Sequence, residues 1–342
     1  MARKIILTQT TGEGAFTRVF QGATWAERHT DEKYRELSRR LRVTYQQAAS
    51  DLYAKQMEFL EKHRKRAERY RADVEAGLLS EDDYKAWMRG QIFQQRAWEL
   101  KRGQLARMMV DVDRQAMAML NDGRLEVFAD NADHMLFKIE KRMGVNTPFG
   151  LYNRDAVTRL IRDRPNLLPM PDIDEEKDYA WHNQVMQNAV TQGILQGETL
   201  DEIALRVSEE TGEKALNTLR RNARTAYTGA MNAGDLVSME KAQSIGIRIQ
   251  KRWVATLDDK TRDSHARLDG QVRDLDKPFD SLLGPIDFPG DPDAAPANVW
   301  NCRCYMDEYF PDYDNTRYRW DMSADYVGDV SYEEWRKMKT GG

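Results

Sequence analysis

Apolar residues recur at Tyr34, Leu37, Leu41, Tyr45, Ala48, Leu52 and Phe59, at helical spacings of three, four and seven. Such a stripe predicts one unbroken helix over about 24–75, which at 1.5 Å per residue is far longer than an ordinary globular helix. It stops at Ala76-Gly77. Ser80 followed by Asp83, with Glu81 and Asp82 in the first turn, then carries the capping signature of a new helix. A second stripe runs through Trp87, Trp98, Leu105, Met108, Val112 and Met119 until Asn121-Asp122-Gly123. Two helices joined by so short a turn must be antiparallel, so residues 24–123 read as a long, projecting hairpin. Its outer face is either a plain coiled-coil arm or a grip on a larger assembly.

The charges of the whole chain do not favour nucleic acid. Lys plus Arg number 52 against 56 Asp plus Glu, a net charge of −4, whereas affinity for a phosphate backbone needs an unbalanced basic surface. The cluster His63-Arg64-Lys65-Arg66 with Arg69 and Arg71 is interrupted by Glu58, Glu61 and Glu68 and reads as a solvated face with local ion pairs. No apolar run is long enough to cross a bilayer, and Lys4 to Thr8 is too short for a signal-peptide core, so the chain is expected to be made in the cytoplasm with no membrane partner.

After a 1–23 N-terminal segment and the hairpin, residues 124–173 form a helical connector that ends in a Pro-punctuated linker, Arg164-Pro165 to Met170-Pro171-Asp172. Helical period returns at Asp174. It breaks at Gly193 to Gly197, restarts with the capping pair Thr199 and Glu202 over Leu200 to Glu209, and continues from about Glu213 to Ser244. Alternation at Ile247, Ile249, Lys251 and Trp253 then predicts a strand. The fold class expected is mainly α with a C-terminal α+β domain over 174–310. Residues 311–342 follow as an aromatic and acidic tail too rich in rings to be free.

The polar constellation lies between Trp253 and Cys304. If residues 258–265 are helical, Asp258, Arg262 and His265 share one face. Cys302 and Cys304 are the only cysteines, which excludes a disulfide framework. Three readings compete for them. With His265 they suit a structural zinc, with Asp258, Asp269 or His182 as fourth ligand. Alternatively Cys302 is a nucleophile activated by His265, or the thiols pack as small hydrophobes while His265 and Asp258 pin loops. Phosphate chemistry finds no support: Gly12-x-Gly14 is short of a dinucleotide fingerprint and is expected to follow no strand, and no Gly-Lys-Ser or Gly-Lys-Thr loop occurs, which argues against an ATP-driven motor.

The order of these residues is itself informative. Arg224-Thr225 on a helix, Gly246, a strand ending in Trp253, then Asp258, Thr261-Arg262, His265, Asp269-Gly270, Phe288-Pro289 and Asn301-Cys302-Arg303-Cys304 resembles the C-terminal domain of Mu F-like minor head proteins of tailed bacteriophages over about 175–310. The resemblance implies a minor capsid or head-morphogenesis protein, present in several copies in the virion at the portal vertex or capsid interior. It implies the portal protein as partner, with major capsid or scaffolding protein and transient contact with genomic DNA beside it. It further implies no catalytic activity of the head domain, and a structural polar cluster of Trp253, Asp258, Arg262, His265, Asp269, Gly270 and Asn301. Some relatives carry toxin enzymes after this domain, and the stretch beyond Cys304 is expected to be too short for one. Two other classes are distinguishable from this reading: a metal- or thiol-dependent hydrolase, nuclease-like, using His265 with Asp258 or Cys302, and a DNA-binding ejection factor using Arg64, Lys65 and Arg66.

Overall fold

The structure is a computed structural model that describes residues 6–11, 14–19, 24–258, 260–312, 326–327 and 330–340. It is mainly helical, with short antiparallel strands concentrated towards the C-terminal end of the sequence. Two compact units are present: a bundle unit of residues 36–122 and 170–222, and a sheet unit of residues 1–35, 123–169 and 223–342. Three helices, α1 (Trp25–Glu75), α3 (Arg96–Met143) and α6 (Leu200–Ser244), contribute residues to both.

In the bundle unit the predicted stripe is the core. Leu37, Leu41, Tyr45, Ala48 and Leu52 of α1 are all buried. The partner strand of the hairpin is antiparallel: Tyr70 stacks on Trp87, Phe59 packs on Trp98, and the Tyr45 hydroxyl donates to Asp113 at 2.6 Å. Ser80 and Asp83 form the expected capping box at the start of α2 (Glu81–Met88). The second helix is not continuous, however. A π-helical turn at Arg89–Phe93 separates α2 from α3; beyond it Trp98 and Leu105 are buried as predicted, but from there the buried positions include Met109, Ala116 and Leu120 in place of the predicted Met108, Val112 and Met119.

The hairpin is also not left with a bare face. Helices α5 (Glu175–Gln196) and α6 lie against it within the same unit. Buried Gln56 in the α1 stripe donates to Ser208 at 2.8 Å and to the Ala204 carbonyl at 3.3 Å, while the His182 ring nitrogen meets Asp113 at 2.6 Å. Residues 24–123 therefore do not form a free arm: neither stripe was apolar enough to bury both sides, and α5 and α6 supply what was missing.

Two glycines expected to break helices lie inside them. Residues Asn121-Asp122-Gly123 fall in the middle of α3, where a Cβ on Gly123 would overlap the Tyr227 hydroxyl. Gly212 sits within α6, where a Cβ would press on Ala49 and the Tyr45 carbonyl. Both glycines permit close helix approach, so α3 runs to Met143 and α6 runs unbroken from its Thr199–Glu202 cap.

In the sheet unit, β3 (Gln250–Val254) is the centre of a three-stranded antiparallel sheet between β4 (Val272–Arg273) and β7 (Tyr305–Tyr309). A small hairpin, β5 (Phe279–Ser281) with β6 (Gly284–Ile286), lies beside it in sequence. The sheet carries buried charge. Lys138 meets Asp307 at 2.6 Å and also Glu308, and Arg252 meets Asp307 at 2.8 Å. Burial alone would raise both acids. Lys138 and Arg252 overcome it at Asp307, whose carboxyl lies well below the usual range, and the charge of Asp307 helps push Glu308 up to about 7.

The N-terminal segment contains strands that the sequence reading missed: β1 (Ile6–Thr11) pairs antiparallel with β2 (Gly14–Val19). Gly12, part of the Gly12-x-Gly14 motif, lies outside the described residues, and the element after it is a strand rather than the helix a dinucleotide loop requires. Of the aromatic tail, the end is helix α9 (Tyr332–Thr340), whose buried Tyr332 and Trp335 pack on Phe137. Residues 313–325 of that tail lie outside the described residues.

Candidate functional site

Residues Asn301 to Cys304 form a knuckle just before β7, and nearly every group in it is held. The Asn301 N–H donates to the Thr225 hydroxyl at 3.0 Å, the Cys302 carbonyl accepts from the Thr228 hydroxyl at 2.8 Å, and the Arg303 carbonyl accepts from Thr256 at 2.7 Å. Asn232, fully buried, donates to the carbonyls of Thr228, Pro289 and Cys304 and accepts from the Met306 N–H at 2.7 Å. Asn301 is the one non-glycine residue with positive φ, 55°, among those described. Asparagine tolerates that left-handed conformation, which lets the chain turn both following thiols inward.

The support comes from one face of α6. Thr225, Thr228 and Asn232 recur at helical spacing, and between them Gly229 meets Gly290 so closely that a Cβ would strike its carbonyl oxygen. Gly290 itself has φ +85°, which ends the Phe288-Pro289 turn on the helix. Of these residues only Thr225 was singled out from sequence. The signal for the rest was available: polar and glycine positions at three- and four-residue intervals in a buried helix.

His265 belongs to the short helix α7 (Asp263–Ala266). Its Nε2 lies 2.9 Å from the Asn298 carbonyl, which can only accept, so Nε2 carries the proton and Nδ1 presents a lone pair. That lone pair faces both thiols, Cys302 Sγ at 3.4 Å and Cys304 Sγ at 3.5 Å. Asn298, also fully buried, is fixed in turn by the Ser281 hydroxyl and the Gly284 carbonyl at the ends of β5 and β6. The Cys302 thiol donates to Cys304, which draws Cys304 down against its burial, and the same bond together with burial pushes Cys302 up.

The other predicted site residues divide cleanly. Asp258 does not share a helix face with His265, because the helix that carries His265 begins only at Asp263. Asp258 makes a bidentate pair with Arg303 at 2.6 and 2.7 Å, which holds its carboxyl down at about 2. Arg262 donates to the Trp300 carbonyl. Asp269 accepts from the Ala255 N–H at 2.8 Å, and Gly270, at φ +79°, turns the chain from α7 back to the sheet with its N–H on the Trp253 carbonyl. Trp253 stands edge-on to His265 at 5.5 Å, and its buried indole N–H has no acceptor among the described residues. His182 belongs to the bundle unit, bound to Asp113. None of Asp258, Asp269 or His182 joins His265 and the cysteines, which are the donor group that the described residues bring together.

The chemistry open to this arrangement is restricted by access. A thiol nucleophile needs the base contact that His265 offers, but it must also meet a substrate. His265, Cys302 and Cys304 are each 2% exposed. In the basic cluster on α1, Arg64 pairs with Glu61, Glu68 and Asp201, and Arg71 pairs with Glu81.

Comparison with known proteins gives these elements a context. The family described as phage Mu protein F like protein matches residues 184–307, which contain the knuckle, α7 and the supporting face of α6. The chain is 30% identical over 228 residues to the minor head protein GP7 of Bacillus phage SPP1, covering 65% of this chain and 72% of that protein. It is 28% identical over 206 residues to an NAD(+)--arginine ADP-ribosyltransferase, EFV, of Enterococcus faecalis, spanning 40% of that protein, and 28% identical over 179 residues to an uncharacterized protein of Haemophilus influenzae, spanning 35% of it. No solved structure matches the chain.

Proposed function

The chain belongs to the Mu F-like family of phage head proteins, and on that premise we propose that it acts at the portal vertex, in a few copies per particle, as an assembly factor for the procapsid and for DNA packaging or delivery. The observation that carries this reading is the 30% identity over 72% of a phage minor head protein. The physical character of the chain agrees with it. Long helices offer large, shallow faces of the kind that dock on another protein without a pocket, and a net charge of −4 suits a component that passing DNA should not adhere to. Among the described residues no helix is long and apolar enough to cross a membrane. The portal protein is the principal partner in this reading, with major capsid or scaffolding protein secondary and genomic DNA a transient contact.

The buried Cys–His group supports a structural rather than a catalytic role, since an inaccessible thiol cannot turn over a macromolecular substrate. The ADP-ribosyltransferase named above shares only 40% of its length with this chain, so its activity is not carried across. The test is co-expression of the full chain with the portal protein of the same phage, followed by size exclusion and by mass spectrometry of purified particles. Co-elution with portal oligomers and presence in particles are expected. Separate elution together with absence from particles would overturn the proposal.

A further inference from the structure

We propose that His265, Cys302 and Cys304 bind a zinc ion, supplying three of its four tetrahedral donors. Three observations converge on it. The first is distance. Zinc–sulfur bonds of about 2.3 Å and zinc–nitrogen bonds of about 2.0 Å at a tetrahedral angle separate sulfur from nitrogen by about 3.5 Å. The two separations here are 3.4 and 3.5 Å, and all three donor atoms lie within 4.8 Å of one another.

The second is the state of the imidazole. Metal-bound histidines characteristically donate their other ring N–H to a carbonyl or carboxylate, which fixes both the tautomer and the ring plane. The Asn298 carbonyl does this at Nε2, and the Asn298 side chain is itself fixed by Ser281 and Gly284. The Nδ1 lone pair is thereby aimed at the sulfurs before any ion arrives.

The third is a matter of counting. One imidazole lone pair accepts one S–H, yet two sulfurs converge on it inside a buried site. A single cation placed among them meets both sulfurs and the imidazole at once. The Cys304 N–H pointing to Cys302 Sγ at 3.4 Å is a further donor directed at sulfur, as a thiolate requires. Two soft sulfurs with one imidazole favour zinc over magnesium or calcium. No fourth histidine, cysteine or carboxylate joins the group among the described residues, because Asp258 is held by Arg303 and Asp269 by Ala255.

Such an ion would cross-link α7 to the knuckle, two segments otherwise joined through single hydrogen bonds. The test uses the unaltered full chain, because cysteine variants are liable to misfold. Purified under reducing conditions without chelator, it should contain about one equivalent of zinc, and removal of the metal should lower the melting temperature reversibly. Cobalt(II) added to the stripped chain should give the visible bands of a tetrahedral site together with thiolate-to-metal charge transfer, and stoichiometric zinc should abolish both. His265→Ala should reduce zinc affinity and alter the cobalt spectrum while leaving two thiolates. Zinc below about a tenth of an equivalent with no cobalt charge-transfer band would overturn the proposal, as would a Cys302–Cys304 disulfide in the freshly purified chain.

Discussion

The bundle unit and the sheet unit are held together by different kinds of contact. In the bundle, Leu37, Leu41, Tyr45, Ala48 and Leu52 repeat one interaction along a helix, and each supplies a similar increment of buried apolar surface. Around the knuckle, Asn232, Asn298, Thr228 and Lys138 each make contacts that no other residue duplicates. A repeated contact can lose one member and keep its geometry, whereas a singular one cannot. The two units should therefore respond to substitution in different ways, and several experiments can break or sharpen that contrast.

The largest effect is expected at Lys138. Lys138→Met leaves Asp307 and Glu308 buried with one cation fewer, and removing one partner from a buried ion group costs about 3–5 kcal/mol; urea denaturation of the full chain reads it directly. Asn232 comes next. Asn232→Ala strands the Met306 N–H and the Pro289 and Cys304 carbonyls, at about 1–3 kcal/mol for a buried group left unpaired. The sharper comparison is with near-isosteric changes. Asn232→Asp removes the donors to three carbonyls and should be as damaging as alanine, whereas Leu52→Met in the bundle should cost less than about 1.5 kcal/mol. Equal tolerance at the two positions would erase the distinction drawn between the units.

A smaller effect concerns pH. Asp133 accepts the Tyr152 N–H at 2.8 Å, but burial outweighs that bond and pushes its pKa up from 3.8 to about 7. The folded chain then holds this proton more tightly than the unfolded one, so the contribution of Asp133 to stability falls as pH rises from about 4 through 7. Asp133→Asn should flatten that part of the stability–pH curve, and an unchanged slope would remove Asp133 as its source. The smallest effect is on the exposed ion pairs of α1. Replacing Arg64, Lys65 and Arg66 by Ala should leave the melting temperature and any DNA binding unchanged, and a weaker binding curve with a flatter salt dependence would instead support a DNA-binding ejection factor.

The same contrast explains what could be read from sequence. The α1 stripe, its end at Ala76-Gly77, the capping boxes at Ser80 and Thr199 and the strand through Trp253 were legible because each is a local pattern with a local cause. The phase of α3 beyond the π-turn, and the passage of α3 and α6 through Gly123 and Gly212, were not, because those glycines are explained by Tyr227 and by Ala49, residues distant in sequence. At the candidate site the donor types were visible as Cys302, Cys304 and His265, and Asp258, Asp269 and His182 competed for the fourth position. Only the fold shows that Asp258 belongs to Arg303 and His182 to Asp113. Asn298 and Asn232, which set the geometry of the imidazole and of the knuckle, carry no motif at all.

The account rests on the Cys–His group holding shape rather than turning over a substrate, and His265→Gln tests that most directly when melting temperature and incorporation into phage particles are measured on the same variant. Both should fall together. A variant that melts and assembles like the parent while losing a reaction of the purified protein would contradict the account.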